Sequence, residues 1–231
     1  IRARSPSRGL GDVYKRQYEN DGSQGFTTHI VSTVADDARN VFAADVDGDG
    51  DLDVLSASFL DDTIAWYEND GGQGFTRDVI TTDTDEAVFV FATDVDGDAD
   101  MDVLSASLAD DTIAWYENDG SENFATRTIS TTADGAESVF AADVDGDGDA
   151  DFIGARYKPG LIVWFEQPKN SLTEPWKSRI AEDEIIGIHG VLKADVNGDG
   201  KMDLLANSGK PIGKFPNSAA WLEIPKNPRK A

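Results

Sequence analysis

The chain contains no cysteine, and it has only two histidines and two methionines. Without cysteine there is neither a disulfide framework nor a thiolate metal site. Basic residues are scarce, 20 Lys and Arg against 44 Asp and Glu, which leaves a net charge of -24 and a pI near 4.2. Such a balance disfavours nucleic acid and anionic membrane as partners, since both need basic surfaces, and it suits cations or a solvated acidic surface. No apolar run approaches the roughly 20 residues needed to span a bilayer. A G-x-S-x-G elbow, a phosphate-binding glycine loop and a Ser-His-Asp set are also missing, so no standard catalytic motif stands out. The carboxylate pairs Asp61/Asp62 and Asp110/Asp111 recur in corresponding turns. That recurrence fits turn chemistry better than general acid-base work.

The sequence does have the means to bury a core. Of its 231 residues 39% are hydrophobic, with five Trp and eleven Phe. The first seventeen residues, IRARSPSRGLGDVYKRQ, stand apart. They hold five of the twenty basic residues and one acid, Asp12, and share no pattern with the rest of the chain. We read residues 1–17 as an artefact or linker joined to a truncated gene and set them aside from fold reasoning. The natural protein is then expected to extend further N-terminally, and any signal peptide with it.

From Tyr18 onward the chain repeats itself. Residues 42–74 and 91–123 agree at 25 of 33 positions. The stretch ADVDGDGDLDVLSAS begins at Ala44, and its first Asp recurs at 45, 94, 143 and 195, a period of 49, 49 and 52. Each copy reads as four short strands: VFAADV, then DVLSAS, then TIAWYEN, then FTRDVITT. No dozen residues show a clean 3.6 period, so almost no helix is expected. Four strands per repeat of this length is the signature of a β-propeller blade. The fold class is therefore all-β, a propeller of four-stranded blades at about 42–90, 91–139, 140–190 and 191–231, with part of another at 18–41. The Trp of the third strand (Trp66, Trp115, Trp164, Trp221) is read as packing between blades.

The aspartates are the chemical signal. Like charges about 4 Å apart cost about 4 kcal/mol per pair at an effective dielectric near 20, so the crowd needs a counter-charge. Carboxylates at positions 1, 3 and 5, a turn-permitting Gly at 6, a carbonyl at 7 and an Asp at 9 match the 6 to 8 hard oxygens that calcium takes. Magnesium, which demands near-octahedral geometry, suits the pattern less. The first loop offers Asp45, Asp47, Asp49 and Asp53, with Asp51 giving its carbonyl. The second offers Asp94, Asp96, Asp98, Asp100 and Asp102, with Ala99 at position 6. The third offers Asp143, Asp145, Asp147, Asp149 and Asp151. The fourth offers Asp195, Asn197, Asp199, Lys201 and Asp203, and its Asn and Lys should weaken it. About four calcium ions are expected, one per loop.

These loops, each followed by a short apolar strand, resemble FG-GAP/VCBS-type repeats, the blades of integrin-α-like calcium-binding propellers. The resemblance covers about Tyr18 to Ile224. It implies a secreted or cell-surface protein whose ions brace the blades and take no part in catalysis. Complete propellers of this kind usually have more blades, so the chain is expected to be a piece of a larger one, or a monomer. EF-hand and dockerin loops are less similar. An EF-hand needs an acid at position 12, where this chain has Ser56, Ser105, Gly154 and Ala206, and a helix after the loop.

The irregular positions are the candidates for ligand binding. Arg156, Tyr157 and Lys158 replace the SFL and SLA of the first two blades. His189 falls six residues before its loop, where the other copies have Arg39, Val88 and Glu137. The insertions PKNSLTEPWK and GKPIGKFPNS carry Lys and aromatics, and loops that break a repeat are where specificity is often placed. The expected function is extracellular binding of a protein or a glycan. The alternative is the propeller portion of a secreted carbohydrate-active enzyme.

Overall fold

The computed structural model describes residues 15–20, 25–72 and 74–230, the first of these segments by its backbone alone. Strands β1 (Lys15–Asn20) and β2 (Phe26–Ser32) form a two-stranded antiparallel sheet. Blade I consists of β3 (Ala38–Ala44), β4 (Asp53–Ser58), β5 (Thr63–Asn69) and β6 (Phe75–Thr81). Blade II consists of β7 (Ala87–Thr93), β8 (Asp102–Ser107), β9 (Thr112–Asn118) and β10 (Phe124–Ser130). Blade III consists of β11 (Ala136–Ala142), β12 (Asp151–Arg156), β13 (Leu161–Glu166) and β14 (Lys177–Glu182). Blade IV has β15 (Ile188–Ala194), β16 (Asp203–Ser208) and β17 (Ala219–Glu223). Within each blade the strands pair antiparallel in chain order, and the assembly is a four-blade β-propeller. Among the described residues the only helical element is the 3-10 turn Pro228–Lys230.

Two departures from the expected strands have simple causes. The first strand of blade I runs from Ala38 to Ala44, so it starts earlier than VFAADV and stops before Asp45, where the chain turns into the acidic loop. Blade IV has three strands where four were expected. After Glu223 come Pro225 and Pro228, which have no N–H to give a ladder.

The inner strands stack blade on blade, and the core lies between blades. Leu55 and Trp66 of blade I pack with Val90, Val103 and Tyr116 of blade II. Leu104 and Trp115 pack with Val139, Phe152 and Phe165 of blade III. Ile153 and Ile162 pack with Ile188, Val191 and Leu204 of blade IV. The second strands of blades I to III are covered on both faces, and every residue of β8 is buried, whereas β16 of blade IV exposes Leu205 and Asn207. Cover on both faces is why those three are written in small residues: Ser105 is fully buried, and its hydroxyl lies 3.0 Å from the Tyr116 hydroxyl. Trp66, Trp115 and Trp164 are at most 3% exposed, as packing between blades requires, whereas Trp221 is 45% exposed. Trp176, from the insertion PKNSLTEPWK, stacks on Phe152 at 4.4 Å and meets Trp115 edge-on at 6.5 Å. It packs, half-buried, against the edge of the core between blades II and III.

This topology sorts the loops onto two ends. The acidic loops and the turns between third and fourth strands lie at one end. The turns between second and third strands lie at the other, with the links from blade to blade. There Phe59 N–H donates to the Asp37 carbonyl at 3.1 Å, and Tyr157 N–H to the Gly135 carbonyl at 2.8 Å.

Candidate metal centres and a groove at the opposite end

Each loop is built around its first and ninth positions. The Asp at position 1 accepts amides from within the loop. Asp143 takes N–H groups of Gly146 (2.7 Å), Asp147 (3.1 Å) and Gly148 (3.1 Å), and Asp195 takes those of Gly198, Asp199 and Gly200 at 2.8 to 3.0 Å. Glycines at positions 4 and 6 supply the positive φ this curl needs, 77° at Gly48 and 97° at Gly50. Ala99 makes the same turn at φ 79° with a side chain.

The Asp at position 9 clamps the loop to its own blade. Asp53 accepts from Val46 N–H at 3.0 Å and from Asn69 N–H at 2.8 Å. Asp102 does so from Val95 (2.9 Å) and Asn118 (2.8 Å), and Asp151 from Val144 (3.1 Å) and Gln167 (2.8 Å). All three are at most 1% exposed. Burial pushes the Asp102 carboxyl up to about 7 and that of Asp151 up to about 6, against the two amides that each accepts.

Carboxylate oxygens of positions 1, 3 and 9 converge within 4.8 Å of one another in three loops: Asp45, Asp47 and Asp53; Asp94, Asp96 and Asp102; Asp143, Asp145 and Asp151. Buried oxygens in each set have no hydrogen-bond partner, namely Asp45 Oδ1, Asp96 Oδ1 and both oxygens of Asp145. Desolvation and the neighbouring carboxylates raise the carboxyls of Asp47 and Asp96, and desolvation raises that of Asp145 against the opposing charge of Arg229. Hard, unpartnered, converging oxygens fit a divalent cation of the calcium type.

The remaining loop residues stand differently. The side chains of Asp49, Asp98, Asp147 and Asp199 each accept the amide two residues on, at 2.8 to 3.1 Å. None of them belongs to a triad. Asp51 and Asp100 lie against the turn glycines Gly71 and Gly120, where a Cβ would collide with their carboxylates. The Asp149 amide closes onto Asp147 at 3.1 Å. In the fourth loop Asn197 replaces the acid of position 3 and donates to Glu223 Oε1 at 3.2 Å, while Lys201 Nζ pairs with Asp199 Oδ2 at 2.6 Å. Among the described residues, Asp195 and Asp203 form no triad with a third carboxylate.

The other four candidates lie at the opposite end and do not form one group. Tyr157 and His189 have ring centroids 5.0 Å apart, His189 Nδ1 lies 3.5 Å from Glu137 Oε1, and Lys210 Nζ sits 4.3 Å from the Tyr157 ring centre. Tyr157, Lys158 and Glu137 line a groove of about 450 Å3 with Glu86, Asp111 and Asp134. Arg156 faces a separate groove, with Ser130, Thr132 and Arg179. Lys210, from the second insertion, is a neighbour of this site that the sequence pattern did not single out by number.

The loop pattern has a family model. The FG-GAP-like repeat matches residues 7–56, 45–105, 94–154 and 144–206, so the chain belongs to the FG-GAP-like repeat family. No curated protein sequence is a significant match. Among solved structures the fold is similar to that of an Agrocybe aegerita lectin, described for its specific recognition of non-reducing terminal N-acetylglucosamine. The TM-score is 0.56 at 18% identity, over 92% of this chain and 58% of the lectin. The chain thus spans somewhat more than half the length of that protein.

Proposed function

We propose that this protein is a calcium-braced, non-catalytic binding propeller that works outside the cell or at its surface. The observation that carries the reading is the threefold recurrence of an Asp triad with buried, unpartnered oxygens. The ions would sit in the loops of blades I to III, with the fourth loop as a weaker site. Their part is to neutralise carboxylates that the blade geometry forces together. The ligand docks at the opposite end, in the groove of Glu137, Tyr157 and Lys158 beside His189. An aromatic ring flanked by a carboxylate and an ammonium suits a sugar, through ring stacking and hydroxyl hydrogen bonds. The lectin of similar fold supports a glycan over a protein as the ligand class.

A glycan array probed with the full chain in calcium tests this, with Tyr157→Ala and Arg156→Ala alongside. We expect a defined set of bound glycans, lost in Tyr157→Ala and kept in Arg156→Ala. An array without signal would overturn the glycan reading. Loss in Arg156→Ala alone would move the site to the other groove.

A further inference from the structure

The third loop differs from the first two in one respect that its own residues do not show. Arg229, from the 3-10 turn after blade IV, reaches back into it across 82 positions. Its Nη2 donates to Asp147 Oδ2 at 2.6 Å and lies 2.6 Å from Asp145 Oδ2, the latter a charge contact off the hydrogen-bond direction. Its Nε donates to Glu166 Oε1 at 2.7 Å. The Asp145 side chain is 1% exposed, so the guanidinium meets a buried carboxylate of the triad itself.

The turn that delivers Arg229 is held in place. Arg179 donates from Nε and Nη2 to Glu166 Oε2 at 2.9 and 2.7 Å, and from Nη1 to the Arg229 carbonyl at 3.2 Å. Pro225 and Pro228 wall a cavity of about 290 Å3 between blades III and IV, with Trp164 and Leu222 among its other sides. Among the described residues, no Lys or Arg pairs with an aspartate of the first or second loop.

We propose that Arg229 is a tethered cation that competes with calcium for the third loop, and so sets which loops take the metal. The inference rests on the calcium reading of the loops. A guanidinium at 2.6 Å from Asp145 Oδ2 opposes a calcium ion on the same triad, because it engages one of that carboxylate's oxygens and sets a second positive charge against the site. Calcium binding to this loop therefore withdraws Arg229 and frees the turn at residues 228–230. Its apparent affinity is reduced by the fraction of molecules with the arginine out. Loops one and two carry no such handicap. At limiting calcium they fill first, and the third loop fills as a separate, weaker step that loosens the seam between blades III and IV.

Two measurements on the full chain test this. The first is calcium titration by native mass spectrometry, of the unsubstituted chain and of Arg229→Ala. If one molecule in ten has the arginine out, Arg229→Ala should take its third ion at about tenfold lower calcium, with the first two ions unchanged. Asp145→Asn in that background should remove the gain. The second is limited trypsin digestion of the unsubstituted chain, which needs no variant to fold. Cleavage after Arg229 should accelerate as the third ion binds. Identical titrations of the two chains would overturn the proposal. So would an affinity gain without any calcium-dependent cleavage at Arg229, since that reports only the charge of the residue and not its displacement. If neither chain binds calcium at all, the calcium reading itself has failed, a result distinct from either of these.

Discussion

The side-chain amide of Asn118 donates to the main-chain carbonyl of Val46, 3.2 Å away and 72 positions earlier. The donor ends the third strand of blade II, and the acceptor lies inside the acidic loop of blade I. The main-chain N–H of Asn118 meanwhile donates to Asp102 Oδ1, the clamp of its own loop. Blade III repeats the arrangement: Gln167 Nε2 reaches the Val95 carbonyl at 3.2 Å while its N–H holds Asp151. In blades II and III one position thus couples its own loop to that of the preceding blade. Stacking of the blades and the shape of the acidic loops are parts of one structure.

Asn118→Ala should therefore destabilise more than its equivalent in blade I. It removes hydrogen bonds to Val46 and Met101 at 3.2 Å each and strands a buried carbonyl, a loss of about 1–3 kcal/mol. Asn69 makes only an exposed bond of this kind, to the Leu52 carbonyl at 3.1 Å. Asn69→Ala should cost less than about 0.5 kcal/mol, in the range of ordinary surface changes. Urea denaturation of the two variants in calcium checks the difference. Equal losses would mean that the link between blades contributes nothing.

Ala99 is the one non-glycine at the sixth position of a loop, and it holds φ at 79°. For an L-residue that conformation costs about 1–2 kcal/mol. Glycine removes the strain but adds about 0.4–1 kcal/mol of unfolded-chain entropy. Ala99→Gly should then stabilise by about 0.5–1 kcal/mol, the difference of these two effects. Gly50→Ala is the mirror experiment, at φ 97° with no atom within 4 Å of the added Cβ. It should destabilise by a similar amount. Thermal melts of the pair give both numbers, and a loss of stability in Ala99→Gly would show that this loop relaxes its strain some other way.

Much of this architecture was legible because the chain writes it several times. The segments TIAWYEN and DVLSAS are β5 and β4 to the residue, since a period of 49 and turn residues between apolar runs bound them on both sides. The triads were legible for the same reason: an Asp at positions 1, 3 and 9 in copy after copy is a spacing. The features that stayed hidden depend on contacts between distant parts of the chain. Nothing local to Trp176, in an insertion rich in Lys and Pro, says that its ring stacks on Phe152. Arg229 carries no motif. The split of the candidate ligand residues was equally unreadable: Arg156 and Tyr157 are neighbours in sequence, and the alternation of a strand end sends them to different grooves.

The raised carboxyls give the acidic loops a pH dependence whose sign depends on calcium. In the unfolded chain an Asp titrates near 3.8, whereas burial holds Asp102 at about 7 and Asp151 at about 6 in the metal-free fold. A raised acid favours the folded state while it is protonated. Its contribution is therefore fully present below about pH 4 and is lost as the pH rises through 6 and 7. Calcium needs the deprotonated carboxylate, so its stabilisation grows over the same interval. Calcium-stripped protein should melt higher at pH 5 than at pH 8, as far as these groups decide it. With saturating calcium the order should flatten or reverse, because ions that bind only the folded state raise its melting temperature. The gap between the calcium-loaded and stripped melting temperatures should widen from pH 5 to about pH 7 and level off by pH 8. A constant gap would mean that the ions are held by groups other than the buried carboxylates, and the clamp residues Asp102 and Asp151 would then be structural hydrogen-bond acceptors alone.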